Sequence, residues 1–142
     1  MTRSARIGFL QVFYVVLMGL GPTFPSKADT SLQVALESCS WQEKDAVVCS
    51  FALESPQSAN FSITGGQYSV GVDGSGNAWH ATGIKVGKDS GLAVWFDVAP
   101  GSPRRVEVWF SGVDRSVEKF ATLTLRFNDG YWQASDVTVN VH

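Results

Sequence analysis

Residues 92–110 read LAVWFDVAPGSPRRVEVWF. Leu92, Val94, Phe96 and Val98 alternate with Ala93, Trp95 and Asp97. After Ala99-Pro100-Gly101-Ser102-Pro103 the alternation resumes as Val106, Val108 and Phe110. A period of two marks a strand with one face in a core. Two such runs flanking a Pro/Gly turn predict a β-hairpin. With that hairpin centred near Gly101, Trp95 faces Glu107 and Trp109 faces Ala93. The two indoles then become diagonal neighbours on the face opposite the aliphatic set, ringed by Glu107, Arg105 and Asp97.

The same period continues in both directions. Leu32, Val34 and Leu36 alternate with polar or small neighbours, as do Val47, Cys49, Phe51 and Leu53. Phe61 and Ile63 precede Gly65-Gly66, and Tyr68, Val70 and Val72 precede the turn-rich Asp73–Asn77. Ala78–Val86 forms a further run. Ala121, Leu123, Leu125 and Phe127 follow, then the turn Asn128-Asp129-Gly130 and a last strand through Val137, Val139 and Val141. Tyr131-Trp132 reads as a loop, and Asp114–Lys119 as a single helical turn. About eight strands, spaced roughly ten residues apart with Gly, Pro, Asn and Asp at the breaks, predict an all-β sandwich.

The amino terminus has a different character. Arg3 and Arg6 precede an uncharged, mostly apolar run from Ile7 to Leu20, which Gly21, Pro22 and Pro25 interrupt before Ser26-Lys27-Ala28. That layout predicts a secretory signal peptide over residues 1–28 and one domain over residues 29–142. The apolar run is short for a membrane span, so no span is expected in the mature chain. All 13 acidic residues lie after Ala28, whereas Arg3, Arg6 and Lys27 precede it, so the domain is more acidic than the chain's formal −2. An acidic surface without a Lys/Arg cluster argues against nucleic acid as a partner. Export implies a secreted or periplasmic location, where disulfides persist.

Cys39 and Cys49 are the only cysteines. They lie between two strand-like runs and are expected to form one bridge. Cys39 has the opposite parity to Leu32, Val34 and Leu36, so the expectation is a bulge near Glu37 or Ser38, or a bend out of the strand. Two cysteines without neighbouring histidines cannot close a zinc shell.

From Asp73 to Phe127 the chain resembles small exported immunoglobulin-like β-sandwiches of bacteria. The matching pieces are Asp73, Gly76-Asn77, Trp79, Pro100–Pro103, Val108-x-Phe110-x-x-Val113 and Ala121-x-Leu123-x-Leu125. The resemblance implies the fold and a cell-envelope or extracellular setting. It carries no catalytic residues over.

Asp73-Gly74-Ser75-Gly76-Asn77 offers oxygen ligands at alternate positions, but Ala78 and Ile84 stand where a calcium loop needs glycine and glutamate, so a turn is expected. His80 is the one histidine before the last residue, no G-x-S-x-G elbow occurs, and no pair stands out among Glu107, Asp97 and Asp129. Asn60-Phe61-Ser62 matches the glycan-acceptor pattern. No metal or cofactor is implied.

The sequence therefore favours an exported, non-catalytic binding domain with Trp95, Trp109 and Glu107 as ligand-binding candidates. An envelope or extracellular protein, or a glycan, would be the partner. A carbohydrate-binding module is the narrower alternative, and a small hydrolase using Glu107 or Asp97 the weaker one. Against all three stands a second, minor core, in which the amino-terminal segment, the Cys39–Cys49 loop with Trp41, or the Tyr131-Trp132 loop covers the tryptophans.

Overall fold

The structure, a computed structural model, describes residues 25–43 and 45–141. These residues form twelve strands and no helix. In chain order they are β1 (Ser26–Ala28), β2 (Gln33–Gln42), β3 (Ala46–Glu54), β4 (Ala59–Thr64), β5 (Gly66–Asp73) and β6 (Ala78–Ala81). There follow β7 (Gly83–Val86), β8 (Asp89–Gly91), β9 (Ala93–Val98), β10 (Arg104–Phe110), β11 (Lys119–Phe127) and β12 (Gly130–Asn140). Their hydrogen-bonded order is β9-β4-β11-β12-β2-β3-β10-β7-β8, with β1 added to β12 and the β5–β6 hairpin added to β11.

This sheet curls because β12 changes partner and face along its length. Its earlier residues pair antiparallel with β11, while Val139 and Asn140 pair parallel with Cys39 and Ser40 of β2. Trp132 and Ala134 point into the core, then Asp136 adopts a positive φ of 55°, and Val137 and Val139 take over the inward positions. The facing strand changes parity opposite this point. Phe120 is buried, as are Leu123, Leu125 and Phe127, and the β5–β11 register shifts between Phe120 and Thr122. A bulge in each strand lets both bend together.

The bend lays one part of the sheet over the other around a single apolar core. Phe110 of β10 meets Phe120 of β11 at 5.4 Å, and Phe51 of β3 meets Trp132 of β12 edge-on at 5.3 Å. Phe51, Leu53, Ile63, Ile84, Leu123 and Leu125 are fully enclosed between the two parts. Each such side chain contributes about 1.5–3 kcal/mol of burial.

The cysteines form a bridge between directly opposed residues of β2 and β3. The register of these strands shifts between Leu36 and Ser38, which moves the inward set from Val34 and Leu36 to Cys39 and Trp41. Of the two ways to reconcile the parity of Cys39, a bulge or a bend out of the strand, the bulge is the one present.

Other expectations need correction. The fold is all-β, but with twelve strands instead of about eight. Ala78–Val86 is divided at Thr82, where the chain leaves β5 and joins β10; the Thr82 N–H donates to the Trp109 carbonyl at 2.7 Å. Asp89–Gly91 and Ser26–Ala28 add two short strands. Tyr131-Trp132 lies within β12, and Trp41 is buried in the core from β2. Residues 114–117 form a tight turn, not a helical one: the Val117 N–H donates to the Asp114 carbonyl while Asp114 Oδ1 accepts from the Ser116 N–H. Residues 1–24 of the expected leader lie outside the described residues, whereas Ser26–Ala28 pair with Trp132–Ala134.

Candidate functional site

The predicted hairpin does not form. β9 pairs with β4, and β10 is flanked by β3 and β7, so β10 has no free edge to offer β9. The intervening segment makes a tight turn, with the Ser102 N–H donating to the Ala99 carbonyl, and then passes between the two parts of the sheet. Trp95 stands opposite Ser62, and Trp109 stands between Val48 and Gly83. Their strands pack inward toward the same core, so their outward faces point away from each other. The aromatic pair that the sequence suggested is not assembled.

Trp109 and Glu107 do lie together. Both are half-buried, and the Trp109 indole N–H donates to Glu107 Oε1 at 3.4 Å. Lys85 faces Glu107 across the β7–β10 ladder, and Arg105 on the same face pairs with Glu37 at 3.1 Å. Trp95 is 59% exposed on the edge strand β9, beside Asp97, whose carboxylate accepts from the Asn60 amide at 2.8 Å. The Asn60-Phe61-Ser62 match thus lies within β4, and Ser62 is buried.

The outward face that carries Trp95 holds a cluster that alternation did not reveal. One row crosses the sheet as Ala93, Thr64, Arg126 and Tyr131. The adjacent row runs Val70, Thr124, Gln133 and Lys27. Tyr68 stands beside them, 55% exposed. Lys27, Tyr68, Thr124, Arg126, Tyr131 and Gln133 line an open groove of about 590 Å³. Gln133 donates its amide to the Thr124 hydroxyl at 3.1 Å. Among the described residues, the Arg126 guanidinium and the Lys27 ammonium have no ion pair.

A buried serine sets this surface. β4 and β5 both pair along the same edge of β11, and Ser69 fills the gap between them. Its hydroxyl donates to the Thr64 carbonyl at 2.6 Å and accepts from the Arg126 N–H at 3.1 Å. Ser69 therefore stands in for a missing ladder partner and turns Tyr68 outward. The sequence assigned Tyr68, Val70 and Val72 to the core; instead Ser69, Gly71 and Asp73 are the buried set. Gly71 explains the inversion, because a Cβ there would lie 2.8 Å from the Phe120 ring.

The other polar centres are committed to holding the chain. Asp73 accepts from the N–H groups of Ser75 and Asn77 and from the side chains of Asn77 and Trp79. The Trp79 indole does most to hold its carboxyl below the ordinary 3.8, against the upward push of burial. Asp114 is lowered by the N–H and hydroxyl of Ser116, opposed by burial and by the charge of Asp73. Burial pushes Asp129 upward, but hydrogen bonds from Thr30 and Ser31 outweigh it and leave its carboxyl lowered. Asp73–Asn77 is thus a stapled turn. No group of His, Cys, Asp and Glu suited to a metal occurs among the described residues. His80 is exposed on β6, and its strand pairs it with Val70. Glu107, Asp97 and Asp129 each bind their own local donors, and none faces another carboxylate across a ladder.

No protein-family model, curated protein or solved structure matches the chain. What the sequence missed was the Tyr68–Arg126–Tyr131 cluster, in which Tyr68 comes from far along the chain to stand beside Arg126 and Tyr131, which face each other across the β11–β12 hairpin.

Proposed function

We propose that the chain is an exported, non-catalytic binding domain whose leader ends before Ser26, not after Ala28, so that β1 stays in the sheet, and that it takes its ligand on the outward face of β5, β11 and β12, with Trp95 at the margin of that face. The observation that carries this reading is the meeting, over one open groove, of exposed Tyr68, half-buried Tyr131 and two cations that have no ion pair among the described residues. A sheet face with aromatic side chains turned to solvent is a common recognition surface. On the sequence resemblance, we keep the immunoglobulin-like assignment as a proposal for this curled, twelve-stranded all-β sheet. The Cys39–Cys49 bridge is compatible with an oxidising, exported setting. Within this reading the partner is a glycan before it is a protein, because β11 and β12, which carry most of the groove, are paired on both sides and present side chains alone. Trp109 and Glu107 belong to the opposite outward face and are supporting residues there.

Glycan-array binding with five proteins tests the assignment. Wild type, Trp109→Ala and Glu107→Gln should bind alike, and Tyr68→Ala and Trp95→Ala should bind more weakly. Bound glycans should be recovered uncleaved. Loss confined to Trp109→Ala would move the site to the opposite face. Cleavage abolished by Glu107→Gln would replace the binding reading with the hydrolase.

A further inference from the structure

We infer that the groove binds an acidic oligosaccharide, with Arg126 and Lys27 taking its carboxylates and Tyr68 and Tyr131 flanking its sugar rings. This inference rests on the binding role proposed above for that face. Four observations lead to it. First, the chain as a whole is acidic, with a formal charge of −2, yet the residues lining this groove include two cations and no carboxylate. Neither cation has an ion-pair partner among the described residues, so both are free for a ligand anion. An arginine fork matches a carboxylate with two parallel hydrogen bonds.

Second, Arg126 and Lys27 are two strands and one row apart, which sheet spacing makes about 12 Å between Cα atoms. A ligand reaching both is a chain and not a single sugar, and the groove is open enough to let a chain continue beyond it. Third, Gln133 and Thr124 lie between the cations, and their mutual hydrogen bond leaves an amide oxygen and a hydroxyl hydrogen to meet sugar hydroxyls. Fourth, β11 and β12, which carry most of the lining, are each paired on both sides here, so neither offers an edge for strand addition by a peptide; the open edge belongs to the three-residue β1. The face offers side chains alone, which suits a ligand recognised by ring faces, hydroxyls and charge.

Affinity electrophoresis of the full-length chain tests this. Native gels would contain polygalacturonate, the same polymer after carboxyl reduction, alginate, or dextran sulfate. An acidic protein gains nothing from general attraction to these anions, so retardation reports a site. The expected result is retardation by polygalacturonate or alginate, with at least tenfold weaker binding for Arg126→Gln and a severalfold loss for Lys27→Gln. Lys88→Gln, the same charge change in the turn between β7 and β8, should bind as wild type. Circular dichroism and thermal melts confirm that each surface variant is folded. No retardation by any of the acidic polymers overturns the inference, and so does stronger binding to dextran sulfate than to both uronates. Equal retardation by the carboxyl-reduced polymer, lost on Tyr68→Ala, overturns the acidic ligand but keeps the face. Retardation lost on Trp109→Ala, and kept in Tyr68→Ala and Arg126→Gln, overturns both.

Discussion

Gly71 occupies a strand position with no room for a side chain, because the Phe120 ring lies where a Cβ would go. Phe120 in turn packs on Phe110, so this one glycine conditions the contact between the two parts of the sheet. Gly71→Ala should therefore cost about 1–3 kcal/mol, as overpacking does, and lower the urea midpoint without changing the slope. Asp73, next to it in the inward set, controls the following turn. Its carboxyl is lowered in the folded chain, so its contribution is complete above 3.8 and is lost as pH falls through the lower folded value. Asp114 and Asp129 have the same sign. The chain should lose stability in acid, below about pH 4. Asp73→Asn should be less stable at neutral pH and show a flatter acid limb in urea titrations.

At the scale of elements, local alternation recovered most strands but lost track of them where a residue breaks the period. The bulge in β2 was legible because Cys39 carried chemistry that required an inward position. The shift in β12 was not, because Asp136 looks like any exposed acid and its positive φ cannot be read from the residue type. The β9–β10 hairpin was a reasonable inference from Pro100–Pro103. It failed because β10 is claimed on both edges by long-range partners, which no local pattern reports. For the same reason Trp95 was correctly read as outward, while its neighbourhood was not. The Cys39–Cys49 bridge acts on the first hairpin. By the chain-entropy argument, replacing both cysteines by alanine should remove about 2–3 kcal/mol. A thermal melt compared with the reduced wild type checks this. The two should nearly coincide, since each opens the same short loop.

At the scale of the molecule, the curl places two outward faces back to back. One carries Trp109, half-covered and bound to Glu107; the other carries Trp95, Tyr68, Arg126 and Tyr131. Acrylamide quenching distinguishes the two tryptophans directly: Trp95→Phe should remove most of the readily quenched emission, and Trp109→Phe little of it. The amino-terminal segment belongs to this scale as well. Asp29 and Asp129 fasten residues 29–31 beside β12, and β1 extends the sheet by one strand. The claim on which the functional account stands is that ligand meets the face of β5, β11 and β12. A titration of isotope-labelled protein with oligogalacturonate, followed by amide chemical shifts, measures it most directly. The account predicts shifts concentrated at Tyr68, Thr124, Arg126, Tyr131 and Gln133, with Glu107 and Trp109 unchanged. Shifts centred on β10, or no saturable shifts anywhere, would contradict it.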